Sequence, residues 1–283
     1  MYNIKFAGIY KDEKQLRHAD NCAGSIKYKE PKTIEQALVQ GMLVFLPSLF
    51  ILLVMTGYFC MDMIMSGVIA RKDFVFSIII TSILLIVGQF VHEIIHALCF
   101  PLKYLKEIYI SENMASMFVY VTEPVTRERF ILIAFAPNII LGIIPFVAGV
   151  IFRDYFMPIV VMSLILFGSI MIICGVGDYM NIYNTIRQVP VRGKVYNDGL
   201  HSYWYSNDRE QKKEKDKSNF LMLAIIFFSC GCFLVSMYRV EGLLLFFISS
   251  LIALLDSRFI SEMLKYANVF MTVIALLIFG GVL

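Results

Sequence analysis

The sequence predicts an all-α polytopic membrane protein of about six to seven transmembrane helices, with one small cytosolic β-hairpin between the second and the third. Three observations carry that prediction. Hydrophobic residues fill 59% of the 283 positions, and mean hydropathy is +0.73. Charged residues fill only 17%, against about 25% in an average soluble domain. Seven apolar runs recur along the chain, most of them near the ~20 residues that a bilayer crossing requires.

The runs fall at 38–60, 75–100, 130–152, 156–186, 220–238, 242–256 and 266–283. Pro101 should end the second at Phe100, because the residue before proline is disfavoured in helical geometry. Pro47, Pro137, Pro145 and Pro158 lie within or beside runs, where neighbouring helices can satisfy the freed backbone groups. The fourth run is longer than a membrane is thick and is expected to project into the cytosol, whereas the sixth is short enough to be half-inserted. The division that follows is a cytosolic N-terminal segment at 1–37, a membrane-embedded core at 38–190, a cytosolic polar loop at 191–218 and C-terminal transmembrane helices at 219–283.

Between the second and third runs, residues 107–122 alternate at Ile108/Ile110 and Phe118/Tyr120 around a polar turn, as a hairpin does. Residues 196–218 read as polar and flexible apart from Tyr203-Trp204-Tyr205, whose rings suit a membrane interface. Lysine and arginine set the orientation. An inside N-terminus puts 21 of them on the cytosolic side and leaves only Arg71, Lys72, Arg153 and Arg239 outside. The first 37 residues are polar, with no signal-peptide pattern. A net charge of +3 held in loops implies no nucleic-acid partner. Five of the six cysteines sit in or beside apolar runs without zinc-ribbon spacing, so no disulfide framework is expected.

The second run contains His92-Glu93-Ile94-Ile95-His96. On a helix the two histidines stand one turn apart on one face, so both imidazoles reach one metal ion. Glu93 is placed to take a proton from water at that metal. Ionisable groups inside a membrane are costly and mark function by default. The bland alternative is a pair of buried histidines bonded to backbone.

Catalytic zinc takes three protein ligands and leaves one position open. The third histidine of the extended soluble pattern is absent, since Leu102 holds its place. Asp178 is the favoured third ligand, with Glu112 and Glu123 as rivals in the hairpin region. Depth supports Asp178. His92 lies eight residues inside Phe100, or about 12 Å, and Asp178 nine residues inside Arg187, or about 14 Å. Asn138 lies about 12 Å below Phe130 by the same rise. His92, Glu93, His96 and Asp178 are the interior ionisable residues, and zinc with two imidazoles and two carboxylates is formally neutral. Asn138, Asn181 and Gln89 are candidates to orient ligands or hold a substrate carbonyl, with helix-packing glue as the alternative for each. His18 and His201 read as surface histidines.

The His92–His96 pentapeptide, Ala136-Pro137-Asn138 and Gly177-Asp178-Tyr179-Met180-Asn181-Ile182-Tyr183-Asn184 resemble the "putative zincin peptidases", a family of bacterial multi-pass membrane proteins. They are also similar to site-2 proteases, which pair an intramembrane His-Glu-x-x-His with a distant aspartate. The resemblance spans roughly residues 85–190. It implies zinc on His92, His96 and Asp178, with Glu93 as the base. One departure falls at the aspartate, where Gly177 precedes Asp178 rather than following it.

The expected function is therefore zinc-dependent hydrolysis of a membrane-bound or membrane-proximal peptide near the cytosolic face of the cell membrane. The hairpin would offer a strand edge to an extended substrate. Two rivals stand beside it. One is a non-catalytic scaffold or immunity-type protein with a structural or degenerate zinc site. The other is a metal transporter, which the single unrepeated site disfavours.

Overall fold

The computed structural model describes residues 3–20, 24–31, 33–111, 116–206, 220–236, 242–254 and 259–279. The chain is mostly helical, with two small sheets. Helix α1 (Ile34–Met65) starts at Thr33, whose side chain accepts from the Gln36 N–H. Helix α2 (Arg71–Cys99) stops at Phe100, the residue before Pro101, as expected. Helix α3 (Arg127–Pro137) is capped by Thr126 and runs through a π-helical turn at Asn138–Ile143 into α4 (Ile144–Ile151). Helices α5 (Pro158–Cys174) and α6 (Val176–Gln188) meet at Gly175 with a bend of 47°. Helices α7 (Phe220–Ser236), α8 (Gly242–Leu254) and α9 (Phe259–Phe279) follow.

Glu35–Met65, Arg71–Cys99 and Arg127–Ile151 are long and apolar enough to cross a membrane, and the bent α5–α6 pair makes up to four. Three to four of the six to seven expected spans meet this measure among the described residues. In the last three helices the described apolar stretches, Leu223–Cys232, Gly242–Leu254 and Met263–Leu277, fall short of the same measure. Helix α2 is inside-out relative to a soluble helix. Its buried positions include Ser77, Thr81, Gly88 and His92, while Ile79, Ile83, Ile86, Val87 and Phe90 are exposed. Small and polar residues packing inward with apolar ones outward is the pattern of a helix solvated by lipid.

Small residues allow the close helix contacts. A Cβ on Gly168 would lie 2.6 Å from the Phe146 backbone nitrogen and 2.7 Å from the Gly142 carbonyl oxygen. Helices α4 and α5 therefore touch backbone to backbone. Helix α6 is braced by α1, where Gly41 faces Val176 and the Phe45 and Tyr179 rings stack at 4.5 Å.

The sheets correct the all-α expectation. Strand β1 (Ile4–Tyr10) runs parallel to β3 (Lys106–Ser111), which pairs antiparallel with β4 (Ser116–Tyr120). The predicted hairpin is therefore present, with a third strand added from the N-terminal segment. A second sheet has the order β2-β7-β6-β5, from Ile26–Lys27, His201–Tyr205, Lys194–Asp198 and Val125–Thr126. Residues 194–205, placed above within the polar loop at 191–218, form a tight hairpin, and Gly199 turns it at φ +62°. Trp204 does not rest free at an interface. It packs with Tyr28, Phe100, Val121, Phe130, Ile133, Val189 and Val195 in an apolar cluster that joins this sheet to the ends of α2, α3 and α6. Residues 207–218 of the expected loop lie outside the described residues.

The N-terminal segment is fastened by buried phenols and one arginine. Arg17 pairs with Glu107 at 2.8 Å and bonds the Leu105 carbonyl. Tyr109 and Tyr120 donate to the carbonyls of Gln15 and Arg17, and Tyr120 also accepts from the Gly199 N–H at 3.0 Å.

Candidate metal centre

Three helices bring the predicted residues together. His92 and His96 lie one turn apart on α2, with their Nε2 atoms 3.1 Å apart. Asp178, in the first turn of α6, places Oδ2 at 3.2 Å from His92 Nε2 and Oδ1 at 3.3 Å from His96 Nε2. The side chains are 10%, 12% and 14% exposed for His92, His96 and Asp178, so the cluster is shielded without being sealed.

The donor set fits zinc. Two imidazole nitrogens and one carboxylate, with room for a fourth partner, is a recurrent catalytic combination. Tetrahedral ligands about 2.0–2.1 Å from a common ion stand roughly 3.4 Å from one another. The two Nε2 atoms stand 3.1 Å apart and each meets its own Asp178 oxygen, at 3.2 Å and 3.3 Å, so one donor atom from each residue lies within 4.8 Å of the others.

The neighbours hold the ligands in place. His96 Nδ1 donates to the Ile133 carbonyl at 2.8 Å; a carbonyl can only accept, so Nδ1 carries a proton, and in the neutral ring Nε2 turns its lone pair to the cluster. Asn138 donates through Nδ2 to Asp178 Oδ2 at 2.9 Å and to the Ala134 carbonyl at 3.3 Å. It fits only because residue 175 is glycine, since a Cβ there would lie 1.7 Å from Asn138 Oδ1. The helix break near Asp178 falls at Gly175, three residues earlier, and not at exposed Gly177. Because the break starts a new helix, Asp178 sits at a positive helix end, which favours a carboxylate.

Glu93 is buried next to the first histidine, and the backbone N–H of Val119 in β4 is directed at its carboxylate. Strand β4 is an outer strand of its sheet, with β3 on one side, so its open edge runs past Glu93. Sequence reasoning had no signal for Val119, whose role comes from an N–H rather than a side chain.

The other candidates are less central. Gln89 is exposed and bonds Cys174, one turn before Asp178. Asn181 is exposed and makes no contact with the cluster among the described interactions. Asn184 is buried but accepts from Gln188. Glu123 is engaged with Leu105, Thr122 and Arg17 on the sheet side, so it is not the third ligand, and Glu112 lies outside the described residues. His18 and His201 pair with Asp198 and Glu30 at the surface, as expected.

Two histidines and an aspartate thus form one largely buried cluster that could hold a metal ion, with Glu93 at its side. Consistent with this, the family model described as "putative zincin peptidase" matches residues 85–192, a stretch that holds His92, Glu93, His96, Asn138 and Asp178. The match supports a zinc metallopeptidase at the level of class. No curated protein and no solved structure matches the chain.

Proposed function

We propose that this chain is a zinc metalloendopeptidase that cleaves membrane-bound or membrane-proximal peptides near the cytosolic face of the cell membrane. The observation that carries the reading is the meeting of His92, His96 and Asp178 from separate helices, with Glu93 beside them. The three long apolar helices and the inside-out face of α2 support a site within or at the bilayer. The bias of lysine and arginine supports a cytosolic N-terminus.

His92, His96 and Asp178 would hold the metal, which when bound acidifies water toward neutrality and polarises a peptide carbonyl. Glu93 takes the proton of the attacking water onto its carboxylate and returns it to the departing amine. The Val119 N–H steadies that carboxylate between the two transfers. Asn138 keeps Asp178 turned toward the histidines. A helical substrate buries its peptide carbonyls in its own hydrogen bonds, so it must unwind before attack. The open edge of β4 offers main-chain partners to such an extended segment and sets it alongside Glu93.

The test compares purified wild type with Glu93→Gln for zinc content and for cleavage of unstructured and transmembrane peptides in detergent. The expected result is zinc in both and cleavage by the wild type alone, with a loss of about 10²–10⁴-fold. Equal cleavage by both proteins would sink the mechanism. Zinc in both with cleavage by neither would favour a scaffold with a structural metal.

A further inference from the structure

We infer that Pro137 is a positioning residue for His96: having no N–H, it frees the Ile133 carbonyl to receive His96 Nδ1–H, and this bond aims Nε2 into the cluster. The inference rests on the zinc-site reading above and adds the device that orients one of its ligands.

The reasoning starts from helix bookkeeping. In α3 the residue at 137 would ordinarily donate its N–H to the carbonyl four residues back, which is that of Ile133. Proline has no such hydrogen. The next N–H, that of Asn138, goes to the Phe135 oxygen. The Ile133 carbonyl has thus lost its regular donor within the helix, and a buried carbonyl without a donor is costly. His96 supplies one at 2.8 Å from another helix.

The consequence for the site is directional. A neutral imidazole that donates from Nδ1 presents Nε2 as an acceptor on its far side. There it lies 3.3 Å from Asp178 Oδ1 and 3.1 Å from His92 Nε2. The anchor is firm, because the Ile133 side chain is 5% exposed and lies in the cluster with Phe100, Phe130 and Trp204. His92 has no equivalent, since its Nδ1 is buried without a protein hydrogen-bond partner. The two histidines are therefore unequal, with His96 oriented in advance and His92 adjusting to it.

The irregularity continues beyond the proline. Residues Asn138–Ile143 adopt the π-helical form, and the Ile144 N–H bonds Ile139 five residues back. The Asn138 side chain takes the Ala134 carbonyl while steering Asp178. One break in the ladder of α3 thus releases backbone oxygens that serve two different ligands, and such breaks concentrate at functional sites.

The test measures zinc affinity by chelator competition for purified wild type, Pro137→Ala, and a protein carrying lactic acid at 137. The last has a backbone ester there, with alanine's methyl but no N–H. The expected pattern is a 10–100-fold weaker affinity in Pro137→Ala and an affinity within threefold of wild type in the ester protein. The nitrogen-15 spectrum should report an Nδ1–H on His96 in wild type and ester, and its loss or shift in Pro137→Ala. Unchanged affinity in Pro137→Ala overturns the inference, as does equal weakening in both variants, which would make the ring rather than the missing donor the cause. If Pro137→Ala does not fold, the ester protein decides alone: retained affinity supports the inference, and a tenfold loss overturns it. A wild type that binds no zinc would instead refute the metal centre itself, a separate and recognisable failure.

Discussion

Asn138→Ala probes how far the metal site depends on a residue that touches no metal. The substitution removes the 2.9 Å bond from Nδ2 to Asp178 Oδ2 and leaves the Ala134 carbonyl without that donor. A hydrogen bond to a charged group contributes about 1.5–3 kcal/mol. Loss of an outer partner of a ligand typically weakens metal binding 10–100-fold, or about 1.4–2.8 kcal/mol, so the two estimates agree. Gly175→Ala should reproduce the effect from the other side, because its Cβ would lie 1.7 Å from Asn138 Oδ1 and must push the amide aside. Chelator competition in detergent gives the affinities, and circular dichroism checks that the helices persist. The sharper measurement is the double variant. Once Asn138 is truncated, the methyl at 175 has room, so the pair should lose no more than either alone, a coupling as large as the single effect. Additive losses, or an Asn138→Ala protein that binds zinc as wild type does, would refute the reasoning.

Other expectations follow from the same structure. Asp178→Ala should weaken zinc binding more than Asn138→Ala does, measured in the same titration, because it removes a ligand rather than a support. Gly168→Ala should cost about 1–3 kcal/mol and lower the thermal midpoint in detergent, since its Cβ meets backbone atoms at 2.6 and 2.7 Å. Gly57→Ala in α1 should have the opposite sign, a gain of about 0.5–1 kcal/mol, because its Cβ meets nothing within 4 Å. Burial pushes the Tyr120 hydroxyl from the ordinary 10 up to about 12, against the partial opposition of the Gly199 N–H. The folded state thus favours the neutral phenol. Its contribution is complete below about pH 10 and lost as pH rises through about 12, so an alkaline melt followed by tyrosine absorbance should lose that component in Tyr120→Phe.

The His92–His96–Asp178 cluster was legible because helical spacing is local. His92 and His96 need only a regular turn, and Asp178 follows from counting depth from two helix ends. The same arithmetic put Asn138 at the level of the cluster, and the structure supplies its partner, Asp178. It did not separate out Asn181 and Gln89, which lie three residues from Asp178 and His92 but are exposed. The positions of Gly175 and of the bend depend on contacts between helices that periodicity does not encode.

The sheets were the larger omission. Strand β1 pairs with residues about a hundred positions away, and Gly8, with φ +91°, breaks its register at a bulge. Strand β2 is two residues long and finds its partner at Trp204. Short strands with distant partners leave little alternation to read. The β6–β7 hairpin did carry a signal, because Val195-Tyr196 and Tyr203-Trp204 flank Asp198-Gly199, a pair that favours tight turns. Its neighbourhood of lysines masked that cue.

Ile26 hydrogen-bonds across to the strand of Trp204, so the second sheet joins the earliest part of the chain to a part made much later. On the ribosome, β1 and β2 emerge long before the strands they need exist. Strand β1 waits through α1 and α2 for β3, and β2 waits through α1 to α6 for β7. The second sheet, which rests on the ends of the three ligand-bearing and supporting helices, therefore closes only after Trp204 has been translated, and a stalled nascent chain would still have its histidines without that cover.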